Sequence, residues 1–159
     1  MSTREQGLYV PKGKQRFEEE LTIWGVIPLQ IKVSTDDTDG ALFVFEHQDM
    51  AKGGPPRHFH YDQDEWFYAI KGNFAFEVGE EQFTLGPGDS LLAPRMVPHV
   101  WAYLGEEPGT LLIALQPAGS FEAFFRESCE MTRLPTPEEA DRMFAAHGMK
   151  VVGPPLDVD

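Results

Sequence analysis

The sequence has little cysteine, no long apolar run and no signal-like start. Cys129 is the single cysteine among 159 residues, so a framework of internal disulfides is excluded. No apolar stretch approaches the roughly 20 residues of a membrane-spanning helix. The first twenty residues, MSTREQGLYVPKGKQRFEEE, contain no apolar segment of the kind found in secretory signals. From these features we expect a cytoplasmic protein.

Positive charge is also scarce. The chain has 13 Lys and Arg against 26 Asp and Glu, which gives a formal net charge of −13. A protein this acidic is repelled by phosphate backbones and by anionic lipid surfaces, and no basic stripe offsets the repulsion. We therefore expect neither nucleic acid nor membrane as a partner. A small molecule is the expected ligand.

The length suits one domain, in which three zones can be distinguished. Residues 1–18 are polar and predict an extended lead-in. Residues 19–117 contain short segments rich in β-branched and aromatic residues, such as ALFVFE, EWFYAI, FAFEV and TLLIALQ. These segments recur about every ten residues and are separated by Gly- and Pro-containing turns, which predicts an all-β sandwich or barrel.

Residues 118–159 predict a helical extension. The stretch SFEAFFRESCEMTRL places its aromatic residues along one helical stripe. In TPEEADRMFAAHG, Thr136 stands as N-cap before Pro137, and Glu139 follows three residues after the cap. This is a capping box, and Gly148 is the expected left-handed end of the helix.

Two histidines and a glutamate lie close together in PPRHFHYDQDEWFYAIKG. Side chains two residues apart on a strand project from the same face, so His58 and His60 present their imidazoles side by side. Such a pair can chelate a divalent ion if other strands contribute further ligands. Glu65 can return on a neighbouring strand as one of them, and His99 is the candidate for another.

The stretch from His58 to Gly72 resembles the first sequence motif of the cupin superfamily. That motif is His-x-His, three or four residues, Glu, six residues and Gly. Here it is His58-Phe-His60, four residues, Glu65, six residues and Gly72.

A second stretch resembles the second cupin motif, which is Gly, five residues, Pro, and a His five positions after the Pro. Gly88, Pro94 and His99 match it in register. Two positions depart from the family pattern: Met96 replaces a glycine two residues after the proline, and Tyr103 replaces a frequent asparagine. Neither change removes a ligand, but both are expected to reshape the pocket.

The resemblance covers roughly residues 40–117 and implies a double-stranded β-helix, or jelly-roll, with C-terminal α-helices and a metal ion inside the barrel. By the same resemblance, the ligands are His58, His60, Glu65 and His99. Nitrogen and oxygen ligands without thiolate suit Fe, Mn, Ni, Co, Cu or Zn, so the expected cofactor is a divalent transition metal of unspecified identity.

Strand alternation indicates which side chains surround this ion. Phe67 shares the face of Glu65, and Trp101 and Tyr103 share the face of His99. Together with Met96 these residues form the predicted substrate pocket. A mainly apolar and aromatic pocket suits a small apolar or aromatic ligand.

Three functions are compatible with this site. The first hypothesis is an oxidoreductase similar to the dioxygenase-type small cupins, including quercetin dioxygenases, which acts on a substrate that forms an oxyanion. Glu65 would then double as the catalytic base, a role that needs a raised pKa. The alternatives are a non-redox metal enzyme such as an isomerase, and a non-catalytic cupin that binds a small metabolite. Isomerases of sugar phosphates need basic residues at the mouth, and only Arg57 and Arg95 lie near the motifs.

The resemblance also implies pairing of two chains, because small cupins commonly associate through edge strands. The segment LTIWGVIPLQIKV is long enough to offer such an edge. We therefore expect a homodimer.

Overall fold

A computed structural model describes residues 5–159, and the first four residues of the predicted lead-in lie outside this range. Within it, eleven strands, two α-helices and a 3-10 helix at Thr35–Thr38 follow one another. The strands and α-helices are β1 (Leu21–Ile23), β2 (Ile27–Val33), β3 (Phe43–Met50), β4 (Arg57–His60), β5 (Asp64–Lys71), β6 (Phe74–Val78), β7 (Glu81–Leu85), β8 (Ser90–Ala93), β9 (His99–Tyr103), β10 (Gly109–Gln116), α1 (Phe121–Glu130), α2 (Pro137–Ala146) and β11 (Met149–Gly153).

The strands form two antiparallel sheets that face each other across the core. One sheet has the strand order β1-β2-β3-β10-β5-β8, and the other has the order β11-β4-β9-β6-β7. Alternate residues of the central strands, such as Phe43 and Phe45 on β3 and Phe67 on β5, are fully buried. This confirms the predicted all-β jelly-roll with C-terminal helices.

Register within the six-stranded sheet places Glu65 at one end of the barrel interior. Leu115 on β10 pairs with both Phe43 and Glu65, so these three residues share one row. Four residues further along β3, His47 shares a row with Leu111 and Ala69. The same sheet therefore contributes one polar residue at each of two levels of the interior.

In the five-stranded sheet, β4 lies between β9 and β11. His58 pairs directly with His99 on β9, while His60 pairs with Met149 on β11. The side chains of His58 and His60 are both buried because they share the inner face of β4. Pairing with β9 thus brings a third histidine beside the His-x-His pair.

The C-terminal segment closes the barrel. Helix α1 buries Phe121, Phe124 and Phe125 against the core, as its apolar stripe predicts. Helix α2 begins with the predicted capping box of Thr136 and Glu139. Strand β11 then joins the five-stranded sheet, which the sequence pattern did not indicate. Neither α1 nor α2 has the length and apolar composition that a transmembrane helix requires.

The segment expected to form a dimer edge is divided in two by a tight turn. Trp24 and Gly25 have φ angles of 53° and 74°, and β1 and β2 pair on either side of this turn. Of these two strands, only the short β1 lies at an edge of the six-stranded sheet. The homodimer stays a prediction.

The approach of Gly54 to β9 generates a testable prediction. A Cβ atom on Gly54 would lie 1.9 Å from the carbonyl oxygen of Trp101, whereas a Cβ atom on the exposed Gly7 would meet nothing within 4 Å. The added Cβ would be attached to the Gly54 backbone and would meet the backbone of β9, so neither can move without disturbing that strand. Gly54→Ala should therefore lower the free energy of unfolding by about 3 kcal/mol. Urea denaturation measures the change, and Gly7→Ala is the control. Equal stability of both variants would contradict the close approach.

Candidate metal centre

Four side chains from three strands converge inside the barrel. His58 and His60 come from β4, Glu65 from β5 and His99 from β9. One nitrogen or oxygen atom from each lies within 4.8 Å of those of the other three. All four residues are buried. The structure thus brings together the four residues that the sequence motifs single out.

Backbone acceptors fix the orientation of two imidazoles. His58 Nδ1 lies 2.8 Å from the Pro56 carbonyl oxygen, and His99 Nδ1 lies 3.4 Å from the Val97 carbonyl oxygen. A carbonyl only accepts, so each Nδ1 carries the proton and donates it. The Nε2 atoms of both rings are therefore left as free lone pairs when the rings are neutral.

A glutamine side chain fixes the third imidazole. Gln63 is buried, and its amide nitrogen donates hydrogen bonds to the carbonyl oxygens of Pro117 and Ala118. Its amide oxygen must then face His60, whose Nδ1 lies 3.0 Å away and donates to it. The Nε2 atom of His60 consequently points toward Glu65. All three rings present Nε2 to the same point, which is the orientation that metal-binding histidines need.

Glu65 is the charged group at this point. Its Oε1 atom lies 3.0 Å from His60 Nε2 and 3.1 Å from His99 Nε2. Burial alone would raise the pKa of Glu65, but the nearby His60, followed by His99, holds it well below the usual range. A carboxylate with a lowered pKa is a poor proton acceptor. The predicted role of Glu65 as catalytic base requires a raised pKa, which Glu65 does not have without an ion. For the site with a bound ion it stays a prediction.

The two histidines of β4 differ in their affinity for a proton. Burial, followed by the nearby His99 and His60, lowers the pKa of His58 to about 3. Burial also acts to lower the pKa of His60, but the Glu65 charge and hydrogen bonds to Glu65 and Gln63 outweigh it and raise that pKa. Without a metal, the His60 imidazolium therefore balances the Glu65 carboxylate.

The residues present fit a divalent transition metal. Two ligand atoms of one ion, each about 2.1 Å from it, are at most about 4.2 Å apart. The four donor atoms lie within 4.8 Å of one another, so a small side-chain adjustment would bring them to the separations that a bound ion requires. Three neutral imidazoles and one carboxylate would leave the bound ion with a net charge of +1. Such an ion attracts an anionic oxygen of a substrate.

A cavity of about 390 Å³ reaches the quartet at His58 and Glu65. Its wall is rich in Phe and Trp rings, which come from both sheets, both helices and the turn after β1: Trp24, Phe45, Trp101, Phe121, Phe124, Phe125 and Phe144. His47 adds a polar group to the wall, and Asp49 and Lys52 add two more from the end of β3 and the loop that follows it. The cavity suits a small, mostly apolar ligand with few polar groups.

The cavity wall differs from the pocket predicted by strand alternation. Of the four predicted residues, Trp101 lines this cavity, whereas Phe67, Tyr103 and Met96 do not. Phe67 is fully buried and packs against the Phe76 ring at 4.9 Å. Tyr103 is buried too, and its hydroxyl donates to the Glu107 carbonyl oxygen.

Met96 lies on the outside of the barrel. Its side chain is 55 % exposed, and its residue has a φ of 68° in the turn before β9. Its backbone N–H donates to the His60 carbonyl oxygen at a distance of 2.7 Å. Met96 therefore supports the ligand strand through its backbone and contributes no side chain to the cavity.

Two further residues belong to the site, and the motif analysis did not single them out. Gln63 orients His60, and its position three residues after the histidine, before Glu65, was the available signal. His47 lines the cavity, and the signal was alternation along β3 after Phe43 and Phe45. Both roles depend on neighbours that are distant in the sequence.

The fold and the quartet together define a jelly-roll barrel with a candidate His₃–Glu metal centre. Residues 46–115 match the family model described as "Cupin domain". This part of the chain is therefore similar to the cupin family, in agreement with the jelly-roll fold. No curated protein matches it significantly.

Solved structures with the same fold share only a low sequence identity with this chain. KdgF from Halomonas sp. is 24 % identical with a TM-score of 0.54, and the alignment covers 70 % of this chain and 94 % of that one. An RmlC-like cupin from Shewanella frigidimarina is also 24 % identical with a TM-score of 0.54, over 72 % of this chain and 96 % of that one. A Streptomyces PAC13 variant with uridine is 18 % identical with a TM-score of 0.51, over 68 % and 84 %. At these identities the likeness shows the fold alone.

Replacement of Gln63 tests its control of His60. Gln63→Leu removes the acceptor for His60 Nδ1–H and frees the ring to rotate or change tautomer, so affinity for Co²⁺ or Zn²⁺ should fall by about 10- to 100-fold. Competition with a chelator of known affinity measures the change. Gln82→Leu, on the exposed face of β7, is the control and should bind as the wild type does. Unchanged affinity in Gln63→Leu would show that His60 needs no such support.

The raised pKa of His60 predicts that metal and proton compete. At pH 6.5 the metal-free site holds a proton on His60, and this proton must leave when Nε2 binds an ion. Titration calorimetry in two buffers of different ionisation enthalpy should detect release of about one proton per ion at pH 6.5. Proton release should decline as the pH rises through the raised pKa of His60, and the affinity for the metal ion should weaken toward low pH. Zero release at pH 6.5 would contradict the His60–Glu65 ion pair.

Proposed function

We propose that this cupin is a metal-dependent oxidoreductase of the dioxygenase type. Its substrate is a small, largely apolar or aromatic molecule that presents an anionic oxygen to the metal centre. The observation that supports this proposal is the aromatic cavity of about 390 Å³, which ends at His58 and Glu65 of the quartet. When bound, a redox-active ion would supply electron transfer between the substrate and O₂.

The chain's own residues define what this substrate can be. The seven Phe and Trp rings of the cavity wall favour a ligand with an apolar body. His58 and Glu65 form the polar end of the cavity. There a bound ion would neutralise the Glu65 carboxylate and accept the Nε2 lone pair of His58, and one substrate oxygen would have room beside the ion. We assign Glu65 the role of a ligand there, because its carboxylate faces the three histidines of the quartet.

The arginines near the motifs argue against a sugar-phosphate isomerase. Arg57 pairs with Glu77 at 2.9 Å, and Arg95 pairs with Asp64 at 3.0 Å. Neither arginine lines the cavity. Lys52 does line the cavity, but its ammonium group pairs with Glu106. A phosphate group would thus enter a largely apolar cavity whose lysine already has an anionic partner. A non-redox metal enzyme acting on another substrate, or a cupin that binds its ligand unchanged, remains the alternative hypothesis.

Oxygen dependence distinguishes the proposal from its alternatives. Protein loaded separately with Fe²⁺, Mn²⁺, Ni²⁺, Co²⁺, Cu²⁺ or Zn²⁺ should be incubated with a panel of phenols and enols, with and without O₂. We expect O₂ consumption and product formation with at least one redox-active metal and none with Zn²⁺. An oxygen electrode and mass spectrometry with ¹⁸O₂ provide the measurements.

Matched histidine variants complete this experiment. His58→Ala removes a quartet ligand, and O₂ consumption should fall at least 100-fold together with bound metal. His147→Ala removes a histidine that bonds to Glu127 and Ser120 and neither belongs to the quartet nor lines the cavity, and its activity should match the wild type. Product formed equally without O₂ would overturn the dioxygenase reaction in favour of a non-redox enzyme. Binding without turnover under all metals would favour the binding protein.

A further inference from the structure

His47 is a buried polar side chain on the cavity wall, outside the metal quartet. It lies on the inner face of β3, and its exposed fraction is 6 %. Its ring packs against Phe45 at 5.2 Å and Phe125 at 5.8 Å between ring centroids. Trp101 lies at 6.4 Å by the same measure. The imidazole is therefore held in place by three aromatic rings that also line the cavity.

The hydrogen bonds of His47 leave one nitrogen unused. The ring bonds to the backbone of Pro28. Proline has no backbone N–H, so the ring donates and the Pro28 carbonyl accepts. Nδ1 has no partner among the described residues, which assigns the donor to Nε2–H.

The protonation state of His47 follows from its surroundings. Burial lowers the pKa of His47 to about 4, against smaller opposing effects of the Pro28 hydrogen bond and the Glu65 charge. The ring is therefore neutral near pH 7, with its proton on Nε2. Nδ1 is a bare lone pair that can only accept a hydrogen bond.

A buried acceptor without a partner is unusual, because water has been removed from it and nothing has replaced the water. Trp24 repeats the pattern: it lines the same cavity, and its indole N–H is also buried without a partner among residues 5–159. One atom needs a donor and the other needs an acceptor. A ligand hydroxyl can serve either atom, since it both donates and accepts.

His47 lies far from the quartet along the barrel. Phe43 shares the row of Glu65, and His47 is four residues further along the same strand. At about 3.3 Å per residue this separates the two levels by roughly 13 Å. The cavity touches both levels, at Glu65 and at His47. The cavity wall therefore carries polar groups at two levels of the barrel, with aromatic rings lining the same space.

We propose that the cavity binds an aromatic or similarly apolar ligand with two polar ends, in which a hydroxyl or N–H group donates a hydrogen bond to His47 Nδ1 while the opposite end presents its oxygen to the quartet. This inference rests on the proposed function for the quartet end. It adds a binding residue and a requirement for a donor at the distal end of the ligand.

Three naphthalenes test the requirement on Zn²⁺-loaded protein, in which no oxidation is expected. 2-Naphthol has one hydroxyl for the quartet, 2,6-dihydroxynaphthalene adds a distal donor, and 6-methoxy-2-naphthol replaces that donor by a group that cannot donate. Calorimetry should show the diol binding about tenfold more tightly than the methoxy compound, which corresponds to one hydrogen bond to a buried acceptor.

Variants of His47 then locate the source of this preference. In His47→Phe the tenfold preference should disappear, and in His47→Gln, which retains an acceptor oxygen, part of it should return. Phe124→Leu is the control, because Phe124 lines the cavity but is not one of the three rings packed on His47. It should weaken all three naphthalenes together and leave their ratio unchanged. Should His47→Phe fail to fold, the wild-type and His47→Gln ratios still test the assignment.

The outcomes separate this inference from the proposed function. The affinity of 2-naphthol reports on the oxyanion site, whereas the ratio of diol to methoxy compound reports on His47. Binding of 2-naphthol without any preference for the diol, or a preference that survives in His47→Phe, overturns the assignment of His47 alone. Failure of all three compounds to bind overturns both.

Discussion

The arrangement depends on a carboxylate buried among imidazoles. Glu65 is taken out of water at the end of the barrel, where an isolated charge would be strongly unfavourable. The His60 imidazolium balances it in the metal-free protein, and a divalent ion would replace that proton when bound. Because each of the three histidines has its Nδ1–H occupied by an outer acceptor, every Nε2 is committed to the inside. The ion site is thus prepared before any ion arrives.

This charge could not remain buried without the C-terminal segment. Phe144 of α2 packs against His58 at 5.1 Å between ring centroids, and Phe121 of α1 packs against His60 at 5.5 Å. Strand β11 covers the outer edge of β4 and supplies its missing hydrogen bonds. The same aromatic residues that exclude water from the quartet form the wall of the cavity. Protection of the charge and selection of an apolar ligand are therefore consequences of one packing arrangement.

Local features of the sequence were sufficient for most of the fold and for the quartet. Alternation predicted the strands, and the capping box at Thr136 predicted the start of α2. The resemblance to two cupin motifs implied the quartet of His58, His60, Glu65 and His99, and the structure brings these residues together. The remaining features depend on contacts between distant segments. Strand β11 pairs with β4, which is distant from it in the sequence. The lowered pKa of Glu65 requires His60 and His99 at hydrogen-bond distance. Alternation correctly placed the Phe67 side chain in the barrel interior. That interior contains both a packed core and the cavity, and strand alternation does not distinguish between them.

The two ends of the cavity are built by different strands, which makes metal binding and ligand recognition separable. The quartet belongs to β4, β5 and β9, whereas His47 and its Pro28 partner belong to β3 and β2. Two cavity-lining residues near these strands, Trp24 and Asp49, have positive φ angles of 53° and 50° although neither is glycine. Such backbone is strained and is retained where surrounding structure imposes it, commonly at binding sites. None of the four quartet residues has a positive φ angle. The strain at Trp24 and Asp49 therefore affects the shape of the cavity and not the metal centre. A substitution on β2 or β3 can therefore change which ligand is accepted while the four metal ligands keep their geometry.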